Sequence, residues 1–228
     1  MRVERGCHAN PEGDRVEVFS DVPARPHPWE GYARVARASI GAQLDRAAAG
    51  RTPQGRALDI GCGRGVHSAR LAERGWDVVG IDQQEQAIAA ARERGIRGVR
   101  FEVVDATRLE SATLGTFDFF LDIGCFQGLD APARTAYCRG VTALANPGAR
   151  LLLLAFGPTR MRWLTEGVTP AAVTDGFPQW RLVHSEPAET KGLGWPMSRS
   201  RPMWFRFELA TRRTPARHSD QEAREKYA

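Results

Sequence analysis

Residues 58–65 read LDIGCGRG, and residues 121–128 read LDIGCFQG. The first stretch decides the fold. It closes a short apolar run, RALDI at 56–60, of the length and composition of a buried strand. Gly61, Gly63 and Gly65 follow at alternate positions. GVHSARLAERG (65–75) then takes up helical spacing and stops at Gly75. A strand, a glycine-rich turn and a helix open a parallel α/β sheet, and small residues in that turn let the backbone approach a ligand. The second stretch repeats the strand end but carries Phe126 and Gln127 where the first has Gly63 and Arg64. The flanking residues of the two copies do not match, so a duplicated module is not implied. If these are the first and fourth strands, they are neighbours where strand order reverses, and the copies are two turns lining one crevice.

Working outward, the rhythm continues. WDVVGID (76–82), VRFEVVDA (99–106), TFDFFLDIG (116–124) and ARLLLLAF (149–156) read as strands. QEQAIAAARERG (84–95) and APARTAYCRGVTALA (131–145) read as helices, and an NPG turn leads into the 149–156 strand. Strands alternating with helices predict right-handed crossovers and a sheet covered on both faces. After Gly157 only a short helical candidate, TPAAVTDGF, remains before two strands, WRLVHSE (180–186) and MWFRFELAT (203–211). Two strands joined without a full helix predict an antiparallel pair at one edge. Residues 29–49 carry apolar positions at helical spacing, including Ile40, Leu44 and Ala47. The expected organisation is an N-terminal arm and lid helix at 1–50, a main domain at 51–211 and a polar tail at 212–228.

Composition narrows the class. The 228 residues are 42% hydrophobic and 26% charged, as in globular proteins. The longest apolar run, LLLLAF at 151–156, is far too short to span a bilayer, and the N-terminal residues lack the apolar stretch of a signal peptide. A cytoplasmic protein without a membrane partner is the expectation. Cys7, Cys62, Cys125 and Cys138 form no CxxC pair and no zinc-like cluster with histidine, so reduced thiols and no metal are expected. The net charge is +5, carried by scattered arginines rather than a basic stripe. RSRPMWFRF (199–207) mixes arginine with aromatics but alternates like an edge strand. No nucleic-acid face is expected.

Chemistry concentrates at the strand ends. The first turn is D-x-G-x-G-x-G, with Asp59, Gly61, Gly63 and Gly65, rather than the GxGxxG of a dinucleotide fold. No phosphate-loop lysine follows. Asp82 ends the second strand, where a carboxylate can accept both hydroxyls of a ribose. Asp105-Ala106 comes near the end of the third strand, within reach of an adenine amino group. Three acids at three successive strand ends, with a glycine-rich first turn, point to a nucleoside pocket. A nicotinamide-binding domain is the competing reading, and the glycine spacing and Asp105 argue against it.

This constellation resembles the class I S-adenosylmethionine-dependent methyltransferases, from about Ala57 to Phe156. The resemblance implies a Rossmann-like, seven-stranded, mostly parallel sheet with an antiparallel edge strand and helices on both faces. It implies S-adenosyl-L-methionine as cofactor, held by Asp59, Gly61, Cys62, Gly63, Ile81, Asp82, Gln83, Asp105, Ala106, Thr107 and Asp122. The D-x-G-C-F-x-x-L segment is similar to small bacterial enzymes of the thiopurine, thiol/halide and tellurite-resistance group. There Pro28-Trp29 would close over the donor, and Gln127 stands where a histidine is expected. The acceptor is then a small molecule such as a thiol, a phenol or a specialised metabolite. Trp29, Tyr32, Phe126, Phe156, Trp163 and Trp195 are its candidate contacts, and Gln127 and His27 are the candidate catalytic residues. The state expected is a monomer or homodimer. Two other readings stay open: a donor-binding scaffold or regulator that has lost transfer, and an RNA or protein methyltransferase.

Overall fold

The computed structural model describes residues 36–49, 55–158, 167–191 and 201–210. His27, Trp29, Tyr32, Trp163 and Trp195 lie outside these residues, as does the 212–228 tail. In chain order the elements are α1 (Arg37–Ala48), β1 (Arg56–Ile60), α2 (Val66–Ala72), β2 (Asp77–Asp82), α3 (Glu85–Glu93), β3 (Val99–Val103) and β4 (Phe117–Ile123). They continue with α4 (Ala131–Ala143), β5 (Ala145–Phe156), α5 (Pro170–Asp175), β6 (Trp180–Pro187) and β7 (Pro202–Leu209). Short 3-10 turns occupy Ala106–Ser111 and Phe126–Gly128.

Among the described residues, seven strands form one sheet in the order β3-β2-β1-β4-β5-β7-β6. The pairs from β3 through β5 are parallel, and β7 runs antiparallel to both β5 and β6. The expected antiparallel pair is therefore present at one edge, with β7 slotted inside the outermost β6. Strand order reverses between β1 and β4, which pair directly, Ile60 opposite Asp122. Both LDIGC segments thus end side by side.

The central strands are buried on both faces, as a doubly covered parallel sheet requires. Leu152, Leu154, Phe119, Leu121 and Trp204 pack with Ile40 and Leu44 of α1 and Leu71 of α2 in one core cluster. Leu58, Ile60, Phe120, Leu151 and Leu153 pack with Tyr137 and Val141 of α4 and Val173 of α5 in another. Capping fixes where the helices of the second layer begin. The Asp130 carboxylate accepts from the Ala133 N–H at 2.9 Å, and the Thr169 hydroxyl accepts from the Ala172 N–H at 3.2 Å.

One boundary differs from the sequence expectation. The NPG at 146–148 does not separate helix from strand; it lies within β5, which begins at Ala145 opposite Phe117. Gly148 has φ +73°, and the register between β4 and β5 shifts between Phe117 and Phe119. The Asn146 side chain donates to the Asp118 carboxylate at 3.0 Å. The three residues that read as a turn form a bulge at the strand's start.

Candidate functional site

The site is assembled by turns at the C-terminal ends of β1 to β4. Gly61, Gly63 and Gly65 have φ of +69°, +53° and +74°, the left-handed region where a side chain strains the backbone. The turn is stitched to its neighbours. Cys62 donates its N–H to the Ile81 carbonyl at 2.8 Å, and Gly63 donates to Asp82 Oδ2 at 3.0 Å. Asp82 Oδ1 accepts from the Gln84 N–H at 2.9 Å. A side chain added at Gly63 would meet nothing within 4 Å. That open floor is what a close-fitting ligand needs.

The two LDIGC turns touch. A Cβ built on Gly61 would stand 3.0 Å from Cys125 Cβ. Gly61→Ala therefore strains the backbone and pushes the turns apart. We expect it to lose roughly 1–3 kcal/mol in urea unfolding. Gly63→Ala, with open space around it, should lose less, and equal losses would mean the turns do not abut.

Each carboxylate has a distinct environment. Asp59 is 2% exposed and accepts from Ser68 Oγ at 2.6 Å, which ties β1 to α2 beneath the turn. Burial pushes its carboxyl up to about 7, with Asp122 and Asp82 adding to the rise against the Ser68 hydrogen bond. Asp122 is fully buried. Its Oδ1 accepts from the Cys125 N–H at 2.7 Å, and its Oδ2 from the Phe126 N–H at 3.0 Å and the Tyr137 hydroxyl at 2.7 Å. Burial raises this carboxyl to about 6 against those bonds. Asp105 is held below the usual carboxylate range by the Thr107 N–H and hydroxyl, both 2.8 Å from Oδ1. It is ionised at neutral pH, and its Oδ2 has no donor among the described residues.

All four acids lie close enough to Cys125 for their charge to act on it. After its own burial, what raises the Cys125 thiol is the charge of Asp122, Asp82, Asp105 and Asp59, in that order. Cys125 is thus a poor nucleophile at neutral pH, consistent with packing between the turns. Cys62 is raised in the same way, first by burial and then by Asp59 and Asp82.

The raised Asp59 carboxyl has a consequence for stability. In the unfolded chain it titrates near 3.8, and in the folded protein near 7. Its stabilising contribution is complete below the lower value and is lost as pH rises through the upper one. From this residue alone, unfolding free energy should fall by up to roughly 4 kcal/mol between pH 4 and pH 7.5, with Asp122 adding to the fall and His67, lowered to about 4, opposing it below pH 6.5. Asp59→Asn should flatten the decline in urea titrations; an unchanged slope would place the charge elsewhere.

The remaining expected residues divide. Gln83 is exposed, while Ala106 and Thr107 are half-buried beside Asp105. Ile81 is fully buried and serves through its carbonyl. Phe126 and Phe156, expected at the acceptor side, stand in the core instead. Phe126 packs against Tyr137 and Phe177, and both phenylalanines are 0% exposed. Gln127 is 1% exposed; its Oε1 accepts from the Phe156 N–H at 2.7 Å. Its Nε2, beside Gly124, has no partner among the described residues. An amide held that way can donate a hydrogen bond but cannot take up a proton. His67 lies on α2 with burial lowering it to about 4. Ser68 and Tyr137, which hold Asp59 and Asp122, carried no signal in the sequence, because their partners are fixed only by packing.

With this geometry in place, the chain can be set beside known proteins. Residues 57–148 match the methyltransferase-domain family. The 2-heptyl-1-hydroxyquinolin-4(1H)-one methyltransferase of Mycobacteroides abscessus is 34% identical over 106 residues, 45% of this chain and 46% of that protein. The ubiquinone biosynthesis O-methyltransferase of Bordetella avium is 33% identical over 97 residues, 41% of this chain and 39% of that one. The chain thus matches less than half the length of these relatives. The N-methyltransferase NodS from Bradyrhizobium japonicum, solved with S-adenosyl-L-homocysteine, superposes with a TM-score of 0.67 at 20% identity. That match covers 82% of this chain and 93% of NodS. The matched segment ends eight residues before the end of β5, so β6 and β7 lie beyond it.

Proposed function

We propose that this chain transfers a methyl group from S-adenosylmethionine to a small-molecule acceptor. The observation that carries the reading is an open, positive-φ glycine turn whose Gly63 N–H bonds the Asp82 carboxylate, at the shared C-terminal ends of the parallel strands β1 to β4. Asp82 would hold the ribose: each of its oxygens accepts one backbone N–H, and each keeps a further lone pair for a hydroxyl. Asp105 Oδ2 would take the adenine amino group, and the Gly61–Gly63 backbone would lie under the methionine part. Asp59 and Asp122 act from below, holding the two turns through Ser68 and Tyr137.

The bound donor supplies a sulfonium methyl that is already activated for displacement. The protein's task is then to align an attacking atom in line with it and exclude water. Gln127, buried next to the second turn, carries an amide and not a base. That suits an acceptor that arrives partly ionised, a thiol or a phenolic or N-hydroxy oxygen. The M. abscessus relative is named for an N-hydroxyquinolone and the B. avium relative for an O-methylation, which supports an oxygen acceptor. The second-turn likeness to the thiopurine and tellurite-resistance group supports sulfur.

Titration calorimetry with S-adenosylhomocysteine tests the first half, with a Kd in the micromolar range expected. Incubation with labelled S-adenosylmethionine and a panel of thiols, phenols and N-hydroxy heterocycles tests the second. Tight binding without transfer to any of them would favour a donor-binding scaffold.

A further inference from the structure

We infer that Arg134 is a positioning residue: through a closed ring of hydrogen bonds it holds the second turn against the end of β5, and so fixes the wall beside the methionine end of the donor. This rests on the methyl-transfer reading above and adds to it a residue on α4, outside every strand-end motif.

β4 ends at Ile123, while β5 runs on to Phe156. The Leu154 carbonyl still accepts from the Gly124 N–H at 3.2 Å. Two residues further the backbone points the same way, but β4 is gone, so the Phe156 N–H and carbonyl need other partners. Gln127 supplies one: its Oε1 accepts from the Phe156 N–H at 2.7 Å. Val168 supplies the other, donating its N–H to the Phe156 carbonyl at 2.9 Å. Arg134 closes the circuit. Its Nη2 donates to the Gln127 carbonyl at 3.2 Å and to the Gly167 carbonyl at 3.4 Å, and its Nε donates to the Phe126 carbonyl at 3.3 Å. The ring runs from Arg134 through Gln127, Phe156, Val168 and Gly167 back to Arg134.

The ring has little slack. Gly167 has φ +65°, and a Cβ built there would stand 2.4 Å from the Gly157 carbonyl oxygen. Phe126, Gln127, Phe156, Gly167 and Val168 are all buried, so water is a poor substitute for a lost partner. Arg134 itself is half-buried, with its guanidinium carbon 5.6 Å from the centre of the Phe126 ring. A planar fork reaches carbonyls on two separate segments at once, which a lysine ammonium does less well.

The second turn connects this ring to the ligand. Cys125 directly precedes Phe126, and its Cβ lies 3.0 Å from where a Cβ on Gly61 would stand. Gly61 belongs to the turn that would lie under the methionine part. None of the ring's bonds involves β2 or β3, whose ends lead to Asp82 and Asp105 on the nucleoside side. Loosening the ring therefore acts on the methionine end and spares the nucleoside end.

The test titrates the full chain with S-adenosylhomocysteine and with 5′-methylthioadenosine, which keeps the nucleoside and thioether but lacks the amino-acid part. Arg134→Met should weaken S-adenosylhomocysteine roughly fivefold or more and methylthioadenosine less than about twofold. Arg134→Lys should recover part of the loss. Gln127→Leu breaks the same ring at another point and should show the same selective loss, so it carries the test if Arg134→Met does not fold. The double variant should lose less than the product of the two single losses. Equal weakening of both ligands, as a merely structural role predicts, or an unchanged S-adenosylhomocysteine affinity overturns the positioning role alone. Failure of the wild type to bind S-adenosylhomocysteine overturns the methyl-transfer reading and this assignment with it.

Discussion

Asp82→Ala should lower the affinity for S-adenosylhomocysteine about 100-fold. The estimate follows from hydrogen bonds to a charged acceptor, roughly 1.5–3 kcal/mol each, at 1.4 kcal/mol per tenfold. Two losses combine in the variant. The ribose hydroxyls lose their acceptor, and the Gly63 and Gln84 N–H groups lose theirs, which loosens the turn that would lie under the methionine part. The two losses separate in Asp82→Asn. It keeps one carbonyl oxygen and loses the charge, so it should fall between the alanine variant and wild type. Calorimetry gives the affinities, and far-ultraviolet circular dichroism shows whether the sheet survives. An affinity unchanged in Asp82→Ala would remove the ribose assignment.

Asp122→Ala should cost roughly 3 kcal/mol of stability. The buried carboxylate satisfies two backbone N–H groups of the second turn and the Tyr137 hydroxyl, and alanine leaves all three without an acceptor. Against this stands relief from burying a carboxyl whose own titration is raised to about 6, so the net is smaller than the sum of three lost bonds. The melting temperature should fall by roughly 6–12 °C for a chain of this size. Asp122→Asn keeps one acceptor oxygen and should lose less. Tyr137→Phe placed on Asp122→Ala removes one of the orphaned groups and should recover part of the loss. If the double variant is no more stable than Asp122→Ala, the Tyr137–Asp122 bond is not a significant contributor.

Much of this architecture is legible in the sequence, because the signals that carry it are local. RALDI, the glycine turn and GVHSARLAERG specify strand, turn and helix by apolar spacing and by glycine where φ must be positive. The two LDIGC segments imply adjacent strand ends, and β1 and β4 do pair. The antiparallel pair follows from the missing helix between WRLVHSE and MWFRFELAT, and β6 and β7 pair in that way.

What the sequence does not show depends on packing. Asn146-Pro147-Gly148 has turn composition, yet the pairing of Ala145 with Phe117 draws it into β5 as a bulge. Phe126 and Phe156 stand beside the second turn and at the end of β5, positions that suggest acceptor contact. Their rings are taken by the core instead, as Tyr137 and Phe177 claim Phe126. Ser68 lies nine residues from Asp59 and Tyr137 fifteen from Asp122, and only the docking of α2 and α4 brings them together.

The most direct test of the central claim is a crystal structure of the chain with S-adenosylhomocysteine. Both ribose hydroxyls should lie within hydrogen-bonding distance of the Asp82 carboxylate, and the adenine amino group within reach of Asp105 Oδ2. The ligand seated elsewhere, or a nucleoside turned away from Asp82 and Asp105, would contradict the account.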